Sequence, residues 1–277
     1  MGTVLLCFGL ALAVAASGCG SGISDRPSSA GIQLLVVALE DGSGTTFLRT
    51  YTVNDADGSV AQAGSTSTTF AENPNALAVS PNGRFAYLVT NAATDQLWGF
   101  QLSQSGALSA VPGSPLDTQD ATAALVVTPE NRTLHETFMT GSSNWATFTI
   151  NSASGELTAL PLLSEATAVG LRGLVFSPTG NFAYVVVQTA PDNLVDHVLG
   201  SNGRPSSPSG GSSESTAADL ALQGSITPDG TQIFFSDASQ VLTPFVAAPN
   251  GNLTGIPGSG VSLGGFFPGD AMVSPDG

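Results

Sequence analysis

Ser80-Pro81-Asn82-Gly83 is the stretch that decides the fold, because the chain repeats it. Thr128-Pro129-Glu130-Asn131, Ser177-Pro178-Thr179-Gly180, Thr227-Pro228-Asp229-Gly230 and Ser274-Pro275-Asp276-Gly277 are copies of one turn. Their first residues lie 48, 49, 50 and 47 positions apart (128−80, 177−128, 227−177, 274−227). A turn recurring at that interval marks a repeat protein, and the period constrains the fold more than any single residue does. A second turn keeps step with the first. Gly58, Gly106, Gly155, Gly203 and Gly251 are 48, 49, 48 and 48 positions apart, each preceded by Asp, Ser or Asn. Such pairs between apolar alternations signal hairpins, because glycine takes the positive φ that tight hairpin turns require.

Placed on this register, each period holds four strand-like runs. In the first full repeat they are Ala76–Val79, Phe85–Thr90, Leu97–Leu102 and Ala107–Val111. The second has Ala123–Val127, Thr133–Phe138, Trp145–Ile150 and Glu156–Leu160. The third has Gly173–Phe176, Phe182–Val187 and Leu194–Leu199, with its last strand poorly defined where the Ser-, Gly- and Pro-rich run Gly200–Thr216 begins. The fourth has Leu222–Ile226, Gln232–Phe235, Val241–Val246 and Asn252–Ile256. Four antiparallel strands per repeat of nearly fifty residues predict an all-β fold, a β-propeller of four-stranded blades. Ahead of the full repeats, Ile32–Leu39, Thr46–Val53 and Ser59–Ala63 supply three strands of a blade that lacks its first, and Ala271–Val273 reads as a lone first strand. Two closures follow: a piece of a seven-bladed propeller, with four whole blades and partial blades at both ends, or a closed five-bladed ring.

Composition agrees. The 277 residues include 33 Gly and 17 Pro, with 42% hydrophobic and only 10% charged residues, as expected of many short strands joined by turns. No sustained helical period follows residue 30, so helix is not expected there. Residues 1–19 stand apart. Val4–Ala16 is an apolar run of signal-peptide length, and Ala16-Ser17-Gly18-Cys19 is similar to a bacterial lipobox, in which the cysteine is lipidated. The expected organisation is a signal over 1–19, a flexible tether over 20–31 and a propeller over 32–277. The expected address is the bacterial envelope, lipid-anchored through Cys19, with simple secretion as the alternative. Cys7 falls in the signal, so the folded part has no thiol for a disulfide or a cysteine metal site. Six Arg, no Lys and 21 acidic residues give a net charge of −15. Phosphate binding needs clustered cations, so nucleic acid is excluded as a partner, and membrane contact is expected only through the lipid.

The residues that fill this register resemble a family. Gly83-Arg84-Phe85-Ala86-Tyr87-Leu88-Val89-Thr90-Asn91, Thr94-Asp95-Gln96-Leu97-Trp98-Gly99-Phe100 and Gly106-Ala107-Leu108-Ser109-Ala110-Val111-Pro112-Gly113-Ser114-Pro115 are similar to the YVTN-type repeats of lactonase-like propellers. That family includes 6-phosphogluconolactonase-like hydrolases and a fungal muconate-lactonizing enzyme. The resemblance implies a Pro-His-x-His signature leading into one blade's first strand. The equivalent approaches here, Glu72-Asn73-Pro74-Asn75, Asp120-Ala121-Thr122-Ala123 and Val169-Gly170-Leu171-Arg172, contain no histidine. No catalytic residue carries over.

The two histidines are the remaining acid–base candidates. His135 takes the slot held by Tyr87, Tyr184 and Phe234, and His197 precedes Gly203 by six residues as Phe100 and Phe245 precede Gly106 and Gly251. Both read as core substitutes for aromatic residues, in different repeats with no shared loop to bring them together. Arg172, just before a strand and near Glu165, is the one ligand-binding candidate, a fork donor for an anionic group. Asn54-Asp55-Ala56-Asp57-Gly58 falls short of a calcium loop, since Val53 stands where an acid is needed. Asp95, Asp117, Asp120, Asp192 and Asp237 read as solvated turn acids. No metal or cofactor is expected. The expected function is an envelope-anchored, monomeric binding or scaffold module with a protein, glycan or small-molecule partner. The alternative is a sugar-lactone hydrolase whose catalytic residues lie in further blades.

Overall fold

The computed structural model describes residues 12–15, 33–40, 45–54, 57–91, 94–119, 121–140, 144–163, 170–187, 193–206, 213–215, 221–237, 240–264 and 273. Among them every regular element is a strand and none is a helix. Five antiparallel sheets follow one another along the chain. The first contains β1 (Leu12–Ala15), β2 (Gln33–Glu40), β3 (Thr46–Val53) and β4 (Val60–Phe70) in that order. The second contains β5 (Asn73–Val79), β6 (Phe85–Asn91), β7 (Gln96–Leu102) and β8 (Leu108–Ala110), with β9 (Leu116–Asp117) also on β7. The third runs β10 (Thr122–Val127), β11 (Thr133–Phe138), β12 (Trp145–Ile150) and β13 (Leu157–Ala159). The fourth runs β14 (Leu171–Phe176), β15 (Phe182–Val187), β16 (Asn193–Leu199) and β17 (Pro205–Ser206), with β18 (Ser213–Ser215) on β16. The fifth runs β19 (Ala221–Ile226), β20 (Gln232–Asp237), β21 (Val241–Ala247) and β22 (Leu253–Gly255), with β23 (Val261–Ser262) on β21.

Three sequence expectations need correction. The first blade does not lack its first strand: Leu12–Ala15, assigned above to the leader, pairs with β2 in the register Leu12↔Val37 to Ala15↔Leu34. The fourth sheet's last strand is defined, as β17 on Leu199 and Val198 and β18 on Asn193–Val195. The outer edge of a blade is also not one strand. In the second, fourth and fifth sheets two short strands share the third strand, and in the third sheet a bridge joins Trp145 to Leu163 beyond β13. The break falls at Pro112 and Pro257, where a missing N–H ends pairing and leaves no long edge open to another chain. Of Ala271–Val273, the described residue is Val273, whose N–H donates to Ser225 Oγ (2.9 Å).

The repeated turn is built by its first residue. Ser80 N–H donates to Phe85 O (2.8 Å), Gly83 N–H to Ser80 O (2.7 Å) and Phe85 N–H to Ser80 Oγ (2.9 Å). Ser177 repeats the set with Phe182 and Gly180, and Thr227 bonds Gln232 in the same way. A short hydroxyl that satisfies the backbone beside its own turn explains Ser or Thr at each copy. In the second copy Asn131 replaces glycine, with φ 59°, a conformation asparagine tolerates.

The chain divides into two compact units, Met1–Asp120 with Ile150–Leu157, and Ala121–Thr149 with Thr158–Gly277. In the first, Val36, Ala38, Leu48 and Phe70 pack face to face on Ala86, Leu88, Phe100 and Leu102 of the next sheet. Its hairpin Ile150–Leu157 is stapled to β6: Arg84 donates to Ser152 O (2.7 Å) and Ala153 O (3.3 Å), and Tyr87 OH to Gly155 O (2.9 Å). A Cβ on Gly155 would lie 2.4 Å from the Phe85 ring. The second unit repeats the device. A Cβ on Gly251 would meet Phe182 at 2.3 Å, and Arg132 donates to Ser201 O (2.6 Å). The hairpin glycine therefore serves twice, for positive φ and for close packing on the sheet before it.

Candidate functional site

Both histidines lie in the second unit and are fully buried. They stand in different sheets, on β11 and β16, yet one indole touches both. Trp145 packs edge-on against both rings, with centroids 6.0 Å from His135 (71°) and 5.1 Å from His197 (77°). A Trp indole N–H can only donate, so its 3.0 Å contact makes His135 Nδ1 an acceptor. Nε2–H then donates to Thr133 Oγ1 (3.0 Å), and the ring is neutral in one tautomer. Phe176 covers it at 4.8 Å. Burial holds the His135 pKa down at about 3. His197 donates through Nδ1 to Ser206 O (2.9 Å). On the paired strand, burial and then the nearby Asp196 push the Tyr184 hydroxyl up to about 12. A general base needs an accessible lone pair, and the lone pair of His135 is taken by Trp145. The reading of both histidines as core residues holds.

Sequence reasoning missed Glu136. In register it falls where the other sheets have Leu88, Val185 and Phe235, yet it is a carboxylate with no exposed surface. Thr122 Oγ1 donates to Glu136 Oε1 (2.7 Å), joining the first residue of β10 to the middle of β11. Ala121, just before, has φ 66°, a left-handed conformation that a residue with a Cβ rarely adopts. Its carbonyl accepts from Met139 N–H (2.9 Å). Gly170 sits so close to Met139 that a Cβ there would lie 2.0 Å from the Met139 carbonyl oxygen. Arg172 follows in β14. Its carbonyl accepts from Thr137 Oγ1 (3.2 Å), and its guanidinium is half-buried, with Nε having no hydrogen-bond partner among the described residues. Hydrogen bonds thus link the starts of β10 and β14 to β11, which carries the buried carboxylate, while β14 carries the guanidinium. The signal for Glu136 was legible: a charge in the apolar column of the register.

Other candidates separate. In the turn at Asn54, Gly58 N–H donates to Asn54 O (2.8 Å) and Ser59 N–H to Asp57 Oδ1 (2.9 Å), so it is a hairpin turn. Asp95 is buried, in contrast to the solvated reading, and its carbonyl accepts from Thr118 N–H (2.9 Å); Asp117 is exposed. Cys19, Asp120, Glu165 and Asp192 lie outside the described residues, as does the side chain of Asp237. A cavity of about 10 Å³ under Pro112 and Gly113, lined by Leu97, Val111 and Leu157, has room for one water.

Sheets of four antiparallel strands in a register of nearly fifty residues, packed face to face within each unit, define a β-propeller. Comparison with solved structures bears this out. A candidate 6-phosphogluconolactonase from Bacteroides uniformis matches 86% of this chain and 70% of its own at 16% identity, with a TM-score of 0.66. A Lactobacillus plantarum protein matches 80% of this chain and 67% of its own at 17% identity, with a TM-score of 0.62. Sqt1 from Chaetomium thermophilum, bound to the N-terminus of ribosomal protein L10, matches 83% and 59% at 14% identity, with a TM-score of 0.58. At these identities the likeness is one of fold. No family model matches the chain, and no curated protein matches it.

Proposed function

We propose that the chain is a propeller binding module that takes a ligand or peptide with an anionic group at Arg172, where β10 and β14 begin. One observation carries this reading: both ring nitrogens of His135 and Nδ1 of His197 are committed to core hydrogen bonds, and both rings are fully buried. Arg172 keeps a buried Nε without a described partner, and a guanidinium suits a carboxylate or phosphate group. The likeness to Sqt1, a propeller bound to a protein N-terminus, supports a protein partner in general. Sugar-lactone hydrolysis is the second reading, favoured by the likeness to the Bacteroides uniformis protein. The YVTN-type repeat assignment and the envelope address belong with this proposal. Processing at Cys19 would also remove β1 and open the edge of β2. Membrane association is lost in Cys19→Ala if the anchor is lipid, and persistence in that variant refutes it. For the site, thermal shifts are measured with small carboxylates and sugar phosphates. A saturable rise in wild type that disappears in Arg172→Gln supports the reading; a rise unchanged by that substitution overturns it.

A further inference from the structure

In the second to fifth sheets the first strand, β5, β10, β14 or β19, slips once against the second. The register jumps from Pro74 to Ala76, from Thr122 to Ala124, from Leu171 to Leu174 and from Ala221 to Gly224. The first residue passed over lies five positions before the repeated turn each time: Asn75, Ala123, Arg172 and Leu222 (80−75, 128−123, 177−172, 227−222). Such a β-bulge bends the strand and re-aims a side chain, and bulges recur beside binding sites. Burial in the third and fourth sheets fits that role. Ala123 is half-buried between buried Thr122 and Ala124, and Arg172 is half-buried between buried Leu171 and Gly173.

Thr137, fully buried, ties these two bulges together. It pairs with Ala124, next to Ala123, and its Oγ1 donates to the Arg172 carbonyl (3.2 Å). All of these residues belong to the second unit. The other arginines described in that unit are spent on backbone: Arg132 donates to Ser201 O (2.6 Å) and Arg204 to Leu162 O (3.1 Å). A single guanidinium balances one negative charge, and a chain of net charge −15 opposes a second. We infer that Ala123 and Arg172 form one subsite for a monocarboxylate, which rests on the anion reading of Arg172 given above. The guanidinium takes the carboxylate as a fork donor. Ala123 is the specificity-determining neighbour, whose small uncharged side chain leaves the space that the carboxylate fills.

Two substitutions of nearly equal size separate charge from bulk. Ala123→Glu supplies a carboxylate of its own to Arg172, and Ala123→Gln supplies the neutral counterpart. Melting temperatures are measured with glucuronate and with glucose 6-phosphate, which carry a monoanionic carboxylate or a dianionic phosphate on the same sugar carbon. Wild type is expected to rise saturably with glucuronate and less with glucose 6-phosphate. Ala123→Gln should show a smaller rise with glucuronate, and Ala123→Glu none. Without ligand, adding Arg172→Gln should lower the melting temperature of Ala123→Glu more than that of Ala123→Gln, the coupling expected of neighbours. Equal losses overturn the pairing of Ala123 with Arg172 and leave the anion reading standing. The same holds if the two Ala123 variants respond alike to glucuronate, or if glucose 6-phosphate raises wild type more. A wild type that responds to neither sugar, beside a coupling that persists, overturns the subsite together with the anion reading.

Discussion

At the scale of single residues, the His135–Trp145 hydrogen bond is the most informative contact in the protein. It explains how a histidine replaces the Phe or Tyr of other repeats: the ring fills the same column, and its one acceptor nitrogen satisfies an indole buried beside it. His135→Phe keeps the aromatic volume but strands the Trp145 N–H, and should destabilise by about 1–3 kcal/mol at neutral pH. The pH dependence has a definite sign. With a folded pKa of about 3 against an ordinary 6.5, the native state stays neutral while the unfolded chain takes up a proton. The stability tied to the neutral ring is complete above pH 6.5 and is lost as pH falls toward 3, approaching about 1.4 kcal/mol per pH unit. Urea unfolding at several pH values should show the gap between wild type and His135→Phe shrinking on acidification. A gap independent of pH would mean that His135 is not buried neutral.

At the scale of elements, the hairpin glycines separate two physical roles. Gly58 has φ 70° and open space where a Cβ would stand, whereas Gly155 has φ 77° with Phe85 at 2.4 Å. Gly58→Ala should cost only the backbone strain, about 1 kcal/mol. Gly155→Ala adds overpacking of about 1–3 kcal/mol, read as the difference in urea midpoints. Equal losses would show that Gly155 does not pack on Phe85. These elements also show what the sequence reveals. The turns, strands and register of the second to fifth sheets were legible because a side-chain hydroxyl, a positive φ and an apolar run each leave a local trace. The doubled outer edge was not, since β9, β18 and β23 are two or three residues long and form only where the third strand offers unused hydrogen bonds. The meeting of His135 and His197 on Trp145 was equally illegible, because it depends on which faces of neighbouring sheets oppose each other. Arg172 was visible as an isolated cation, but the buried Glu136 nearby in the fold emerged only when the apolar column was compared across sheets.

At the scale of the molecule, the repeat sets the scaffold and departures from it mark where function is sought. Ala121 and Arg172 depart at the start of two first strands, and Glu136 departs in the middle of β11. The binding role proposed for this scaffold predicts that it opens no lactone ring. Acid release from a panel of sugar lactones tests that claim most directly. The account predicts that the full chain leaves the rate at the buffer background, with or without Arg172→Gln. Saturable turnover by the wild-type chain that vanishes in Arg172→Gln would contradict it and place a hydrolase at the site assigned here to binding.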